Sequence, residues 1–161
     1  MNSRLIKIFF SCSVALYITL VAFNNVTGYS SNFQFISNIS EMNDVFSKDR
    51  DGWRSVNNAS LHYLFFIIII IWELSIAALM WFGAFRMIKK FHASTTEFKS
   101  AKKFTSIGLS IGVLLWFTVF ISIAGEWFLM WQSKAWNAQS PAFFLTCCFL
   151  LFLIHHKQED I

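Results

Sequence analysis

Charge is what this sequence has little of. Only 14% of its 161 residues are Asp, Glu, Lys or Arg, while 56% are hydrophobic and 20 are Phe. Soluble domains use about 45–50% apolar residues even with glycine counted, so a mean hydropathy of +0.53 excludes an ordinary soluble fold. Cysteine is scarce too. Cys12, Cys147 and Cys148 all fall in apolar stretches, at no spacing that suits zinc and in no loop where a structural disulfide would form. We read them as small apolar residues. No nucleophile–base set and no cofactor motif is present, so neither a cofactor nor a metal is expected. The basic residues lie beside the apolar runs without a folded reader module, which argues against nucleic acid as a partner.

What is there is four apolar runs, Ile8 to Phe23, Leu61 to Phe85, Ile107 to Met130 and Pro141 to Ile154. A bilayer core roughly 30 Å thick takes about 20 helical residues to cross. The expectation is therefore an all-α membrane protein, a single domain over 1–161 with four transmembrane helices at about 5–25, 61–86, 104–131 and 138–156. A cleaved signal peptide is the alternative for the first run, since Arg4 and Lys7 supply a basic start. The run ends in Phe23, Asn24 and Asn25 rather than a small-x-small site, and the only weak cleavage point follows Gly28. Retention as a helix is the expectation.

Basic residues set the orientation. Arg4, Lys7, Arg86, Lys89, Lys90, Lys99, Lys102, Lys103 and Lys157 fall on one side. Lys48, Arg50, Arg54 and Lys134 fall on the other, offset by Glu41, Asp44, Asp49 and Asp51. Both termini are then expected in the cytoplasm, with the bilayer as the first partner and anionic headgroups attracted to the basic side. In the external loop 26–60, Phe35, Ile36, Ile39, Met42, Val45 and Phe46 recur at helical spacing, which predicts an amphipathic surface helix; a partly ordered loop is the alternative. Three Asn-x-Ser/Thr matches, at Asn25, Asn38 and Asn58, matter only in a glycosylating host. Ser94 and Glu97 form a capping-box pattern that starts a helix running into the third crossing. Ser140 is expected to cap the fourth helix, with Pro141 in its first turn. His155 and His156 read as a solvated tail.

Glu73 stands in the second run, just after the isoleucines Ile67 to Ile71, roughly 18 Å along the helix from Leu61 and so near the midplane. An acid there costs about 2.5–3.5 kcal/mol on insertion scales. It needs a partner, a proton or a cavity. Three roles stay open: a hydrogen bond between helices, a proton or ion relay, or a contact to a ligand or partner helix. At about 100° per residue, His62, Phe66, Ile69, Glu73, Ala77, Met80 and Ala84 share one face. In the third run Gly108 and Gly112 make a G-x-x-x-G packing pair, and the same arithmetic places Leu115, Val119, Ser122 and Glu126 with them. Glu126 is thus expected to turn inward, with His62 and Arg54 as neighbours. Asn24, Asn25, Trp53, Arg54, His62, Glu126, Trp127, Trp131, Gln132, Trp136 and Asn137 would gather at the outer edge, either as an aromatic belt with polar caps or as an outward-facing polar pocket. His62, Glu73 and Glu126 are too dispersed in depth to share a metal ion.

Val21-Ala22-Phe23-Asn24-Asn25, Trp53-Arg54, Trp72-Glu73, the block Gly125 to Ser133 and Trp136-Asn137 carry a family resemblance. The chain resembles the domain-of-unknown-function 2165 family, small integral membrane proteins of bacteria. The resemblance covers nearly the whole chain and implies a four-helix protein of the bacterial inner membrane; it brings no activity with it. Two functions follow as expectations. The first is a non-catalytic accessory, assembly or stabilising component of a membrane complex, with partner subunits or a second copy as its contacts. The alternative is binding or transport of a small molecule, lipid or ion through the outer pocket around Glu126. A carboxylate and a histidine can do acid–base work, but nothing fixes a reaction, so a non-enzyme is expected.

Overall fold

The computed structural model describes residues 3–159. Four helices are long and apolar enough to cross a membrane: Ser3–Thr27, Ala59–Lys89, Thr95–Trp127 and Gln139–Lys157. The first is α1 (Ser3–Thr27). A short break at Gly28 leads into α2 (Tyr29–Ser40). A single turn, α3 (Lys48–Asp51), precedes α4 (Ala59–Lys89), whose first N–H groups are capped by Asn58, its side chain accepting from the Leu61 amide. The third crossing is composite. α5 (Thr95–Ala101) opens on the Ser94–Glu97 capping box, α6 (Lys103–Leu114) continues it, and Leu115–Trp127 winds as a π-helix. α7 (Gln139–Lys157) is the fourth.

The core forms where the small faces of these helices meet. α4 packs most extensively on α1 and α6, and α7 covers α6 and the π segment. Val14, Ala15 and Ile18 from α1, Ile76, Ala77 and Met80 from α4, and Phe149 from α7 share one buried cluster with Leu109 and Trp116. All seven residues of the face predicted on the second helix are buried. Phe9, Leu20, Ile71, Leu74, Phe143 and Leu151 project outward, as a lipid-facing surface requires. Cys148 is among the exposed residues, while Cys12 and Cys147 are half-buried.

Glycines set the closest approaches. A methyl on Gly112 would overlap the Phe149 ring, and one on Gly108 would press on the Met80 side chain. The G-x-x-x-G pair therefore serves two partners, α7 and α4. The tightest contact is elsewhere: a Cβ on Gly83 would strike the hydroxyl of Thr105 and then its backbone amide. Hydropathy does not reveal that contact, because the sequence gives small residues no partner.

At the end of the bundle that carries the termini, basic side chains close gaps between helices. Arg4 donates to the carbonyls of Phe91 (2.8 Å) and Ala93 (2.6 Å). Lys7 and Lys102 both donate to the Gln158 carbonyl, at 2.7 and 3.2 Å. His156 is buried against the Lys102 carbonyl and His155 half-buried beside Phe10. This corrects the solvated-tail expectation: α7 stays helical to Lys157, so its last turn packs on α1 and α6. Two further expectations change in detail. Ala138 precedes α7 and no side chain caps it, so Ser140 and Pro141 lie within the first turn. The surface helix spans Tyr29–Ser40, ending before Met42, whose φ of 53° lies in the left-handed region and turns the chain away. Met42, Val45 and Phe46 therefore belong to the following loop.

Candidate functional site

The site starts from one hydrogen bond. Glu73, 1% exposed on α4, accepts at Oε2 from Asn25 Nδ2 of α1 at 2.7 Å. α1 carries Asn25 beyond the last turn of its apolar stretch, and its strong packing on α4 brings the amide to the acid. Asn25 was expected among the outer-edge residues; here it is the partner of Glu73, the acid of the second apolar run.

The pair faces a chamber of about 220 Å³, whose walls include Asn32, Phe66, Ile69, Trp116 and Phe120. α2 forms its roof. Asn32 donates to the Asn24 carbonyl at 3.1 Å, fixing the corner between α1 and α2. Gly28 is needed there, because a Cβ would sit 3.0 Å from the same carbonyl. Tyr29 and Phe33 of α2 pack on Phe66 of α4 with ring centroids 5.3 and 6.3 Å away. Trp116 is buried in the wall, and its indole Nε1, itself buried, has no hydrogen-bond partner among the described residues. An indole N–H can only donate, and leaving one unpaired inside costs about 1–3 kcal/mol.

A second, larger space of about 290 Å³ lies beside the first, and Phe35, Ile36, Ile69 and Phe120 line both. Its own walls are apolar apart from Ser40 and Trp72, and the Trp72 indole already donates to the Ile111 carbonyl at 3.0 Å. Exposed Ile68 and Ile123 are part of its lining, so it opens at the lipid-facing surface between α4 and the π segment.

The outer-edge residues are placed differently from the expectation. Of them, Asn25 lines the chamber and the others do not. Glu126 is exposed, its carboxylate accepting from Gln139 Nε2 at 3.3 Å, while Arg54 reaches only its backbone carbonyl, at 3.4 Å. His62 is buried, but its Nδ1 lies 3.6 Å from Glu41, and its Nε2 is 2.6 Å from the Val56 carbonyl. The inward-facing Glu126 with His62 beside it is therefore overturned, and the cause is winding. From Leu115 the backbone closes hydrogen bonds five residues apart, as Phe128 N to Ile123 O at 3.0 Å shows. Each residue then turns the chain by less than an α-helical step, and over eleven residues the difference carries Glu126 off the Gly108–Gly112 face.

The remaining members knit two loops together. Trp53 stands on Trp127 edge-to-face, with centroids 5.7 Å apart. Gln132 is buried and accepts the Phe46 amide at 2.8 Å; Trp131 packs against the Phe46 ring, and Asn137 donates to the Trp131 carbonyl. Trp136 meets Phe35 edge-on and donates its amide to Ser133 Oγ. Asp44, absent from the sequence-based set, is the hinge of this clasp. It accepts from Ser133 Oγ at 2.7 Å and the Lys134 amide at 3.0 Å, and these bonds hold its carboxyl below the usual carboxylate range. Asp51 is likewise held low, by Arg50 foremost.

The family described as "Predicted small integral membrane protein (DUF2165)" matches residues 3–159. The chain belongs to that family. No curated protein and no solved structure matches it.

Proposed function

We propose that this small integral membrane protein is a binding protein of the bacterial inner membrane, holding a small lipid-soluble molecule in the chamber around Glu73. The positive-inside pattern supports a placement with both termini cytoplasmic and α2 at the outer face. One observation carries the reading: the Asn25–Glu73 pair, an acid and an amide within apolar helices, borders a cavity whose other walls are mostly apolar and aromatic. Polar groups in hydrocarbon are expensive, and a ligand that meets Glu73 would offset that cost. The accessory-subunit reading treats Glu73 and Asn25 as a clasp within the chain. That accounts for their hydrogen bond but leaves the cavity without a role.

The binding site proposed from sequence, around Glu126, gives way to one around Glu73, because Glu126 faces outward. Extraction into native-lipid discs with a maleic-acid copolymer, followed by mass spectrometry of the small molecules retained, tests the reading. Wild type should enrich at least one species over the bulk membrane, and Glu73→Gln should lose it while the discs keep their size. No enrichment, or equal enrichment in the variant, refutes it. A stoichiometric protein partner lost specifically in Glu73→Gln would favour the accessory role instead.

A further inference from the structure

Independently of the chamber around Glu73, we propose that the larger space of about 290 Å³ seats one acyl chain of a membrane phospholipid, which enters sideways between Ile68 and Ile123 while its headgroup and second chain stay in the bilayer. The lining decides what kind of matter fills it. Among the described residues its polar side chains are Ser40 and Trp72, and the Trp72 N–H already donates to the Ile111 carbonyl. A buried water needs several polar partners, so water does not settle there, and a polar head finds too little to hold it. Hydrocarbon remains, and the mouth opens onto a solvent made of it.

Depth then selects a chain from one leaflet. The α4 wall runs from Phe65 to Trp72, roughly 6 to 17 Å along the helix from Leu61, where the apolar run begins. Half of a bilayer core is about 15 Å thick. The space therefore reaches from near one membrane face to about the midplane, as a single acyl chain does. A partner's transmembrane helix does not fit. It is about 10–12 Å across and has to pass both leaflets, whereas α2 closes one end of this space with Ile36, Ile39 and Ser40.

The third wall is the work of the π-helix. Val119 and Phe128 both line the space. At about 100° per residue, an α-helix would set them on opposite sides. Hydrogen bonds closed five residues apart turn the chain less at each step. That brings the two to one side, and the small Ala124 between them leaves the gap. A winding this rare, well under 1% of residues in soluble proteins, is what opens the space.

Native mass spectrometry of the full chain in detergent tests this, with palmitoyl-oleoyl phosphatidylglycerol and palmitoyl-oleoyl phosphatidylcholine titrated as probes. Wild type should hold one molecule through lipid-free washing. The two headgroups should saturate it within about twofold of each other, less than the weight of a typical hydrogen bond, because the seat grips the chain. Ala124→Phe, which fills the space, should raise the half-saturating concentration about tenfold or more, the weight of two methylenes left unburied. Ala124→Leu takes its place if the larger ring prevents folding. Ile71→Phe, on the exposed face of α4, should change nothing. No retained lipid, retention of one headgroup only, equal retention in the folded Ala124 variant, or an equal loss in Ile71→Phe overturns the proposal. Glu73→Gln should keep the lipid even where it loses a molecule from native discs, so the two readings fail separately; loss of the lipid in Glu73→Gln overturns the separate seat.

Discussion

Asn25 and Glu73 show what a single polar pair contributes between two apolar helices. Glu73 was legible in the sequence because an acid inside an apolar run has a cost that depth alone reveals. Its partner was not, because depth says nothing about rotation of a neighbouring helix. Removing the amide strands the acid: Asn25→Ala should destabilise the protein by about 1.5–3 kcal/mol, read as a lowered melting temperature in detergent. Replacing both residues by Leu should recover much of that loss, since two apolar side chains leave nothing unpaired. A double variant no more stable than Asn25→Ala would show that the bond is not what holds α1 to α4. Trp116 gives the opposite sign. Its indole N–H is already unpaired, so Trp116→Phe should stabilise the protein by up to about 1 kcal/mol. A lowered melting temperature would show that the packing of the larger ring outweighs the stranded donor.

Elements explain where sequence reasoning stopped. Helical arithmetic at a fixed rotation served α4 well and failed in the third crossing, where the winding changes at Leu115. Nothing in Leu115 to Trp127 announces that change, so Glu126 was assigned a face it does not have. Glu126→Gln should accordingly leave ligand retention in native discs unchanged. The helix contacts carry a ranking. At Gly83 an added methyl meets the Thr105 backbone, which cannot move aside; at Gly108 it meets the flexible end of Met80. Gly83→Ala should therefore cost about 1–3 kcal/mol, the usual range for overpacking, and Gly108→Ala distinctly less. Equal melting temperatures would refute the ranking. In the loops, the Asp44 clasp has a pH dependence of fixed sign. Its folded carboxyl lies below the unfolded value of about 3.9, so its contribution is complete above that value and is lost as pH falls through the folded one. Loop protection measured by hydrogen exchange at Trp136 should fall on acidification below about pH 4 in wild type, and be already low and pH-independent in Asp44→Ala.

The orientation proposed for the whole molecule rests on its charges and not on its interior. Hydropathy alone made the four crossings legible, because each needs only length and apolarity. Which end faces outward rests on the basic residues, gathered around the termini and the segment between α4 and α6, where Lys89, Lys90 and Lys103 are exposed. That end also holds the interhelical bonds of Arg4, Lys7 and Lys102, so on the proposed orientation side chains that stabilise the fold also count toward its placement. The distinction matters for function, since the roof helix α2 and the chamber beneath it lie toward the opposite end. A fluorescent protein fused after the last residue should therefore mature and fluoresce in a bacterial host. Alkaline phosphatase inserted at Asn57, in the exposed stretch before α4, should be active. Removing the positive balance should mix the orientation: replacing Arg86, Lys89, Lys90, Lys99 and Lys103 with Gln leaves basic residues equal on the two sides, which should raise phosphatase activity at the terminus and lower it at Asn57. If both reporters keep their original sidedness in that variant, the charge argument fails, and α2 would have to be placed by direct labelling before any outward access to Glu73 could be argued.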